Sequence, residues 1–463
     1  MSPSDNPLPQ TPSPADRPRL LMSAFGCHPD QTMETRIGWR RALLAAEWCD
    51  VTVLVGPGQC NQEQRVEELT ARACEERGTS HGLRFERVDY DWRSRQLCSL
   101  GSTYYLGYRH WGTLAYRTAR RLHAERPFDL THQVTYCGYR EPGLLWKLPA
   151  PFVWGPVGGT QNFPLRYAGV VGPTAAAKEG VRSLVNGFQM RCNRRVRGAA
   201  RNAAAVLAAT TKNQEDLRRG LGLEADVELE TGLDCDLAPP RRRRDASQPL
   251  RVLWAGRLQP WKALPLLLRS LPKLPADCPV EVRVLGDGPC RRPWQRLAER
   301  LGVGDRITWH DWPGYEETLP HYRWADVFAF TSLRDTSGTG LIESMAAGAP
   351  LVGVEHQGAA DLMTDRCAVP VTVASPEATV RGFADALVTL ATDHDLLHRL
   401  SHGARDRAAT YAWEARREST RLLYQKVLRH RALGQPMVSQ PLSRSTGSSS
   451  SATLSAPGMA FDI

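Results

Sequence analysis

Two carboxylates eight positions apart frame a glycine-rich loop in the second half of the chain. Between Asp335 and Glu343 lie Ser337, Gly338, Thr339 and Gly340, and a short helix is predicted to begin there. The first amides of a helix have no partner inside it and lie at the positive end of its dipole, so a phosphate can bind to them. A glutamate one turn further can accept hydrogen bonds from two neighbouring hydroxyls, as in a ribose. This pattern predicts a site for a sugar joined to a nucleoside diphosphate, although plain strand-to-helix turns look similar.

Two basic side chains follow the predicted strand 251–255. Arg257 and Lys262 come after Gly256 and are five positions apart. Fixed cations at a strand end would stabilise the negative charge on a departing diphosphate, so we expect no requirement for a metal ion. A solvated loop pair is an equal alternative from this motif alone. Gly286 and Asp287 follow the next predicted strand, where they could admit a ligand to the backbone or form a tight turn.

Apolar runs bounded by glycine or proline alternate with helical stretches along the chain, which is typical of βα units and parallel sheets. The predicted strands are 19–25, 51–55, 83–88, 129–134, 152–155 and 204–209 in the first half, and 251–255, 280–285, 307–309, 327–331, 351–354 and 369–373 in the second. We therefore predict two doubly wound α/β domains that face each other across a cleft. In such sheets ligands bind beyond the carboxyl ends of the strands.

The domain boundaries follow from changes in composition. Residues 1–18 are rich in proline and are expected to be a disordered tail, not a secretion signal. The Ser/Thr/Gly-rich segment 431–463 is also expected to be disordered. The predicted N-terminal domain spans 19–236, a Pro/Arg-rich linker 237–249, and the C-terminal domain 250–405. A helix within 406–430 is expected to return to the N-terminal domain.

The overall composition is that of a globular protein, with 42% hydrophobic and 23% charged residues. No run of about 18 apolar residues predicts a membrane span, so we expect a cytoplasmic enzyme. The eleven cysteines are scattered without a CxxC motif, which predicts neither a disulfide framework nor a zinc site. The formal charge of +10 comes mostly from arginine and favours anionic ligands or lipid head groups over neutral ones.

The motifs described above resemble, in order and spacing, those of the retaining glycosyltransferases of family 4, which have the two-domain GT-B fold. The likeness covers roughly residues 19–430 and rests on Arg257 with Lys262, the turn 286–288 and the segment Asp335 to Glu343. The run 332–338, followed by 356–358, is similar to a bacterial subgroup linked to cell-surface polysaccharide assembly. The family usually has glutamate at the first acidic position, where this chain has the shorter Asp335.

The resemblance implies a role for each matching residue on the donor side. Arg257 and Lys262 would hold the diphosphate, Glu343 the ribose, and Asp335 with the backbone of 337–339 the donor sugar. Gly256, Gly286, Asp287 and Gly340 would belong to the donor-binding loops.

The first half carries the remaining implied positions. His132, in a stretch like the family's Asp-x-x-His, would point into the cleft and hydrogen-bond the donor sugar, although a structural histidine is the commoner case. Gly158 and Gly159 would line the acceptor side. Glu34 also matches the subgroup, although the two residues before it differ from the usual Gly-Ser.

The expected reaction is transfer of a sugar, of hexosyltransferase type, from a nucleotide sugar to an acceptor hydroxyl with retention. By this resemblance the acceptor attacks the front face, and the departing phosphate takes its proton. The acceptor would be a sugar, a lipid-linked molecule or another hydroxyl compound, as in glycan, polysaccharide or glycolipid synthesis. No cofactor and no nucleic-acid partner are expected. A basic amphipathic stretch at 182–201 could rest on the inner face of the membrane or be a solvated helix edge.

Two other functions remain open at this level. One is a catalytically silent nucleotide-sugar-binding or membrane-scaffold protein of the same fold, since a fold does not establish an activity. The other is a GT-B nucleotide-sugar epimerase, which would consume the donor with no acceptor present.

Overall fold

The structure is a computed structural model that describes residues 17–59, 62–79, 81–99, 103–234, 236–239, 247–312 and 314–433. The predicted tails 1–18 and 431–463 lie almost wholly outside these ranges. The central part of the predicted linker, residues 240–246, also lies outside them.

Two parallel sheets form the centre of the described chain. The strands are β1 (Arg19–Ala24), β2 (Asp50–Val55), β3 (Gly58–Gln59), β4 (Gln62–Glu63), β5 (Leu83–Arg87), β6 (Leu130–Thr135), β7 (Phe152–Val157), β8 (Ala203–Ala208), β9 (Asp226–Val227), β10 (Leu250–Ala255), β11 (Val280–Leu285), β12 (Ile307–His310), β13 (Val327–Phe330), β14 (Leu351–Val354) and β15 (Ala368–Val371). The N-terminal sheet has the order β5-β2-β1-β6-β7-β8-β9, and the C-terminal sheet β12-β11-β10-β13-β14-β15. The strands β3 and β4 form a separate antiparallel pair.

Helices connect the strands and cover the sheets. They are α1 (Met33–Ala45), α2 (Val66–Arg77), α3 (Trp92–Ser99), α4 (Tyr104–Glu125), α5 (Ala168–Val171), α6 (Pro173–Cys192), α7 (Arg194–Asn202), α8 (Thr211–Leu221), α9 (Pro265–Leu268), α10 (Arg291–Arg300), α11 (Tyr315–Trp324), α12 (Thr339–Ala346), α13 (Gly358–Leu362), α14 (Pro376–Thr392), α15 (His394–Ala409) and α16 (Arg417–Ala432). Short 3-10 turns lie at Leu145–Lys147, Leu165–Tyr167, Pro260–Lys262, Leu271–Lys273, Gly304–Arg306 and Glu414–Arg416.

Both sheets have the doubly wound topology that the sequence predicts. In each, the first strand lies inside the sheet and the winding reverses beside it, between β1 and β6 and between β10 and β13. Every residue of β1, β6, β7 and β13 is buried, because helices cover both faces. The twelve predicted strands are all present, with ends that differ by two residues at most. The prediction of two Rossmann-like α/β domains is therefore confirmed.

The last helix of the described chain lies on the N-terminal domain. Helix α16 contacts α1 and β8, and Leu423, Tyr424 and Val427 join the apolar core on that face of the sheet. The chain crosses back just before this helix, where the amide of Leu233 donates to the carbonyl of Tyr411 at 2.9 Å. The two domains are thus connected by two passages of the chain.

We predict that Tyr424→Phe lowers the free energy of unfolding by about 1 to 3 kcal/mol. The buried hydroxyl of Tyr424 donates to Nδ1 of His132 at 2.8 Å, and its removal leaves a buried ring nitrogen without a partner. Urea unfolding measures the change. Tyr105→Phe is the control, since the Tyr105 side chain is 55% exposed, and equal effects of the two substitutions would contradict the anchoring role of Tyr424.

Candidate functional site

The carboxyl ends of the two sheets face one cleft, and polar contacts cross it. Ser337 Oγ donates to Glu230 Oε1 at 2.6 Å, and Gln357 Nε2 donates to the carbonyl of Asn162 at 2.9 Å. Arg334 on the C-terminal side forms an ion pair with Glu179 at 2.9 Å. The loop between β13 and α12 is therefore held against the N-terminal domain, and we call the space between the two sheets the interdomain cleft.

Helix α12 begins in this cleft, directly after the glycine-rich loop. Gly338 precedes it with φ at 71°, a conformation that favours glycine, and no side chain caps this end of the helix. In the part of the chain that the structure describes, the amides of Thr339 and Gly340 donate to no other backbone group. A side chain at Gly340 would begin 2.9 Å from the hydroxyl of Tyr322, so the tight packing there requires glycine. The helix start thus presents backbone donors to the cleft.

The predicted basic residues lie beside this helix start. Lys262, in the 3-10 turn after β10, forms an ion pair with the carboxylate of Asp335, and both side chains keep partial exposure to solvent. Arg257 is exposed. Its positive charge acts on Glu34, which comes from α1 of the opposite domain. Residues distant in the sequence thus bring cations and carboxylates together at the cleft.

The two glycine loops after β10 and β11 pack against each other. The amide of Leu258 donates to the carbonyl of Asp287 at 2.8 Å, and a Cβ added at Gly286 would lie 2.0 Å from the carbonyl oxygen of Gly256. Asp287 is exposed, and its side chain accepts from the amide of Gly288 at 2.7 Å. Glycine at 286 is therefore needed for the contact between loops, which favours the tight-turn alternative at that position.

Glu343 is a buried carboxyl inside α12. Burial raises the pKa of Glu343 to about 7, while a hydrogen bond with Tyr322 and the positive charge of Arg36 act in the opposite direction. Arg36 belongs to α1 in the N-terminal domain, and it also forms an ion pair with Asp234 at 3.8 Å. The carboxyl predicted to hold a ribose is therefore influenced by charged side chains of the opposite domain, Arg36 and Asp234.

The prediction that His132 points into the cleft is wrong. His132 is 2% exposed in the core of the N-terminal domain. Its Nε2 donates to the carbonyl of Gly155 and its Nδ1 accepts from Tyr424, each at 2.8 Å. Burial, with a smaller effect of the Arg41 charge, lowers the pKa of His132 to about 4. Neither ring nitrogen is available to a ligand, so the histidine is structural.

A cavity of about 370 Å³ lies on the N-terminal side of the cleft. Glu34, Gly158 and Gly159, the three residues predicted on the acceptor side, all line it. The other lining residues are Ile37, Tyr104, Tyr105, Tyr108, Thr135, Tyr136, Cys137, Gly138, Glu230 and Thr336. A Cβ at Gly158 would lie 2.8 Å from Cγ2 of Thr336 in the glycine-rich loop, so the cavity reaches the predicted donor side. Sequence reasoning missed Glu230 and the tyrosines, because no motif marks them.

The basic stretch predicted at 182–201 forms two helices instead of one. Asn193 ends α6 and caps α7 by accepting from the amide of Arg195 at 2.9 Å. On α6 the side chains of Val181, Leu184, Val185 and Phe188 are exposed by 62%, 77%, 43% and 67%. Within α7, by contrast, Val196 is fully buried. The exposed apolar surface therefore belongs to α6 alone, and we call these four side chains the α6 stripe.

The described residues contain neither a metal-binding cluster nor a membrane-spanning helix. No group of three or more His, Cys, Asp or Glu side chains in the described segments is arranged to hold a metal ion. Among the helices of those same segments, none combines the length and apolar character needed to cross a bilayer.

Sequence comparison matches part of the chain to known proteins. Residues 249–393 match the family described as glycosyl transferases group 1. D-inositol 3-phosphate glycosyltransferase from Corynebacterium glutamicum (strain R) is 31% identical over 217 residues, which cover 43% of this chain and 49% of that protein. The chain thus spans about half the length of the curated relatives it matches.

Solved structures share the fold of nearly the whole chain. Sucrose-phosphate synthase from Thermosynechococcus elongatus has a TM-score of 0.62 at 17% identity, over 89% of this chain and 99% of that one. HepE from Anabaena, in complex with UDP-glucose, has a TM-score of 0.55 at 15% identity, over 88% and 99% of the two chains. The two parallel-sheet domains therefore have the GT-B arrangement.

We predict that the charge of Glu343 makes the protein less stable as the pH rises. The pKa of this carboxyl is raised on folding, so its stabilising effect is complete below pH 4.5 and is lost as the pH rises through about 7. Between pH 4.5 and 8 the wild type should lose roughly 3 kcal/mol more than Glu343→Gln in urea unfolding. The exposed Glu355→Gln serves as control, and parallel pH profiles for Glu343→Gln and the wild type would contradict the prediction.

Proposed function

We propose that the protein is a retaining glycosyltransferase that moves a sugar from a nucleoside diphosphate sugar to an acceptor hydroxyl. The observation that carries this proposal is that Lys262, paired with Asp335, and the free amides of α12 lie at the edge of the C-terminal sheet where Arg257 also follows a strand, beside a cavity in the opposite domain. The matched family segment 249–393 contains every one of the proposed donor-side residues. The relative named above is a glycosyltransferase by name, and one structural neighbour, HepE from Anabaena, is in complex with UDP-glucose.

In this proposal Lys262 changes partners when the donor binds. Both side chains of its ion pair with Asp335 keep some access to solvent, and the cost of desolvating the two charges offsets part of their attraction. A diphosphate can therefore compete for the ammonium group. Lys262, Arg257 and the amides at 339 and 340 then stabilise the charge that develops on the departing phosphate oxygen.

Asp335 would in turn face the donor sugar. Its backbone amide donates to Gln357 Oε1 at 3.0 Å, and Gln357 also reaches the carbonyl of Asn162 in the other domain. The position of Asp335 is thus fixed from both sides of the cleft. As the bond from the anomeric carbon to phosphate breaks, the acceptor oxygen bonds to that carbon on the same face, and its proton passes to the departing phosphate. Arg257 and Lys262 supply the charge stabilisation that a metal would otherwise provide.

We further propose that the acceptor is attached to a membrane, as in polysaccharide or glycolipid synthesis. The α6 stripe has the spacing i, i+3, i+4 and i+7, so its four side chains share one helix face. Exposed arginines follow it at 191, 194, 197 and 201. An apolar helix face next to cationic side chains suits the interface of an anionic membrane.

A panel of nucleotide sugars tests the activity itself. A bound donor raises the unfolding temperature as its concentration exceeds the dissociation constant. Consumption of that donor is then measured with and without acceptors. Donor that is consumed only with an acceptor supports transfer, isomerisation without an acceptor supports an epimerase, and binding without consumption supports a silent binding protein.

We predict that Lys262→Ala lowers kcat/KM for transfer by about 100-fold or more, because it removes a cation from the departing phosphate. The exposed Lys273→Ala in the same domain is the matched control and should retain the wild-type rate. Circular dichroism checks that both variants are folded. A folded Lys262→Ala enzyme with near-normal turnover would count against the proposed site.

We predict that the double variant Leu184→Glu with Phe188→Glu weakens binding to vesicles that contain anionic phospholipid by about ten-fold or more. Both side chains are mostly exposed, so the fold should tolerate the change, whereas two new carboxylates oppose insertion. Vesicle co-sedimentation measures the binding. Trp312→Glu, an exposed apolar side chain in the other domain, should have no effect, and unchanged binding of the double variant would exclude the α6 stripe as the contact surface.

A further inference from the structure

The cavity on the N-terminal side of the cleft has a lining of unusual charge for so basic a chain. The formal net charge is +10, yet none of the described residues that line the cavity is Lys, Arg or His. Its ionisable lining consists of the carboxyls of Glu34 and Glu230, together with four tyrosines and Cys137. A phosphate placed among these groups would meet two carboxyls and no cation in the lining itself.

The tyrosine side chains offer ring surface more than free hydroxyls. The hydroxyls of Tyr104 and Tyr136 bond to each other at 2.7 Å, and the hydroxyl of Tyr108 donates to the carbonyl of Thr135 at 3.1 Å. Their rings pack together, with centroids of Tyr108 and Tyr136 4.7 Å apart. Aromatic surface with a small number of fixed polar groups is the usual lining of a ligand pocket. This lining suits a compact ring with apolar faces and hydroxyl edges.

Glu230 is the buried polar group of this cavity. It is 9% exposed, and its Oε1 accepts from Ser337, which lies two residues before the start of α12 on the donor side. Among the described residues its Oε2 has no hydrogen-bond partner. Burial raises the pKa of Glu230, while the hydrogen bond from Ser337 and the positive charge of Arg416 act in the opposite direction and support the ionised carboxylate. An unpartnered buried carboxyl oxygen costs free energy, and a ligand hydroxyl would relieve that cost.

Glu34 lies on the other side of the cavity, in the first turn of α1. The residue is accessible to solvent, yet desolvation by the neighbouring protein raises the pKa of its carboxyl. The positive charge of Arg257 acts in the opposite direction. The charge of Arg257 therefore reaches this side of the cavity from the opposite domain. A ring in the cavity would be flanked by Glu34, Glu230 and Thr336 of the glycine-rich loop.

We propose that this cavity is a subsite for the reacting ring of the acceptor, that the ring is an uncharged polyol, and that Glu230 determines this specificity. Its Oε2 accepts a hydrogen bond from a ring hydroxyl, and its negative charge disfavours a ring that carries phosphate. The cavity volume of about 370 Å³ suits one such ring, while any lipid or glycan attached to it remains outside. This inference rests on the proposed transferase activity and adds the chemical class of the acceptor.

The test uses the full chain and matched pairs of small acceptors. Hexoses and inositol are compared with their monophosphates, and kcat/KM for transfer is measured at saturating donor. Binding of each compound in the presence of nucleoside diphosphate is measured by saturation-transfer NMR. We expect the wild type to prefer each neutral compound over its phosphate by at least about ten-fold, because like charges brought together cost several-fold in affinity or more.

Three variants separate charge from structure. Glu230→Gln and Glu34→Gln keep the shape of the side chain and remove its charge, so each should reduce the preference for neutral compounds several-fold. Glu230→Gln should also raise KM for the neutral ring more than it changes kcat. Ser337→Ala removes the bond to Oε1 of Glu230 but keeps the carboxyl, so it should preserve the preference even if its overall rate falls.

The outcomes distinguish this inference from the proposed function. A wild type that prefers phosphorylated rings, a preference unchanged in both glutamine variants, or donor binding without binding of any neutral ring would overturn the inference. Absence of binding to every nucleotide sugar would instead contradict the transferase proposal on which it rests.

Discussion

Parallel strands place all their carboxyl ends on one edge of a sheet, and in this protein two such edges face each other. Every proposed functional group depends on that constraint. Lys262 follows β10, Asp335 and α12 follow β13, and the cavity-lining glycines at 158 and 159 follow β7. Contacts across the cleft, such as Ser337 with Glu230, then fix the separation of the two edges. A reaction between two bound molecules needs this arrangement, because each can be held by a separate domain.

Charge is distributed unevenly between the two sides of the cleft. The C-terminal edge supplies Arg257, Lys262 and the positive end of α12, whereas the cavity opposite is lined by carboxyls and tyrosines. A diphosphate is therefore favoured on the C-terminal side of the cleft and disfavoured beside the carboxyls of the cavity. The ion pair of Lys262 with Asp335 adds a cation that can exchange partners, since both side chains remain accessible from the cleft and desolvation offsets part of their attraction.

The strands could be predicted from the sequence because strands of covered parallel sheets are buried on both faces and appear as apolar runs. The two-residue strand β9 has no such run, and both of its residues are exposed, so the sequence did not mark it. The break between α6 and α7 was also missed, although Asn193 is a good helix cap whose position could have indicated it. Local patterns thus determined the elements well but not every boundary.

The side-chain environment was harder to predict, since it depends on residues far apart in the chain. His132 at a strand end matched a family pattern, but Tyr424, 292 positions later, occupies one of its ring nitrogens. Glu230 belongs to no motif, and its importance emerges only where Ser337, 107 positions later, reaches it. Lys262 and Asp335, by contrast, were expected at one site because both follow strands of the same sheet. In the structure the two side chains form an ion pair.

A crystal structure of the protein with a bound nucleoside diphosphate is the most direct test of the account. We expect the phosphate oxygens to lie within hydrogen-bond distance of the Lys262 ammonium, the Arg257 guanidinium and the amides that begin α12, with Lys262 released from Asp335. A diphosphate bound elsewhere, or bound there with Lys262 still paired to Asp335 and no contact to α12, would contradict it.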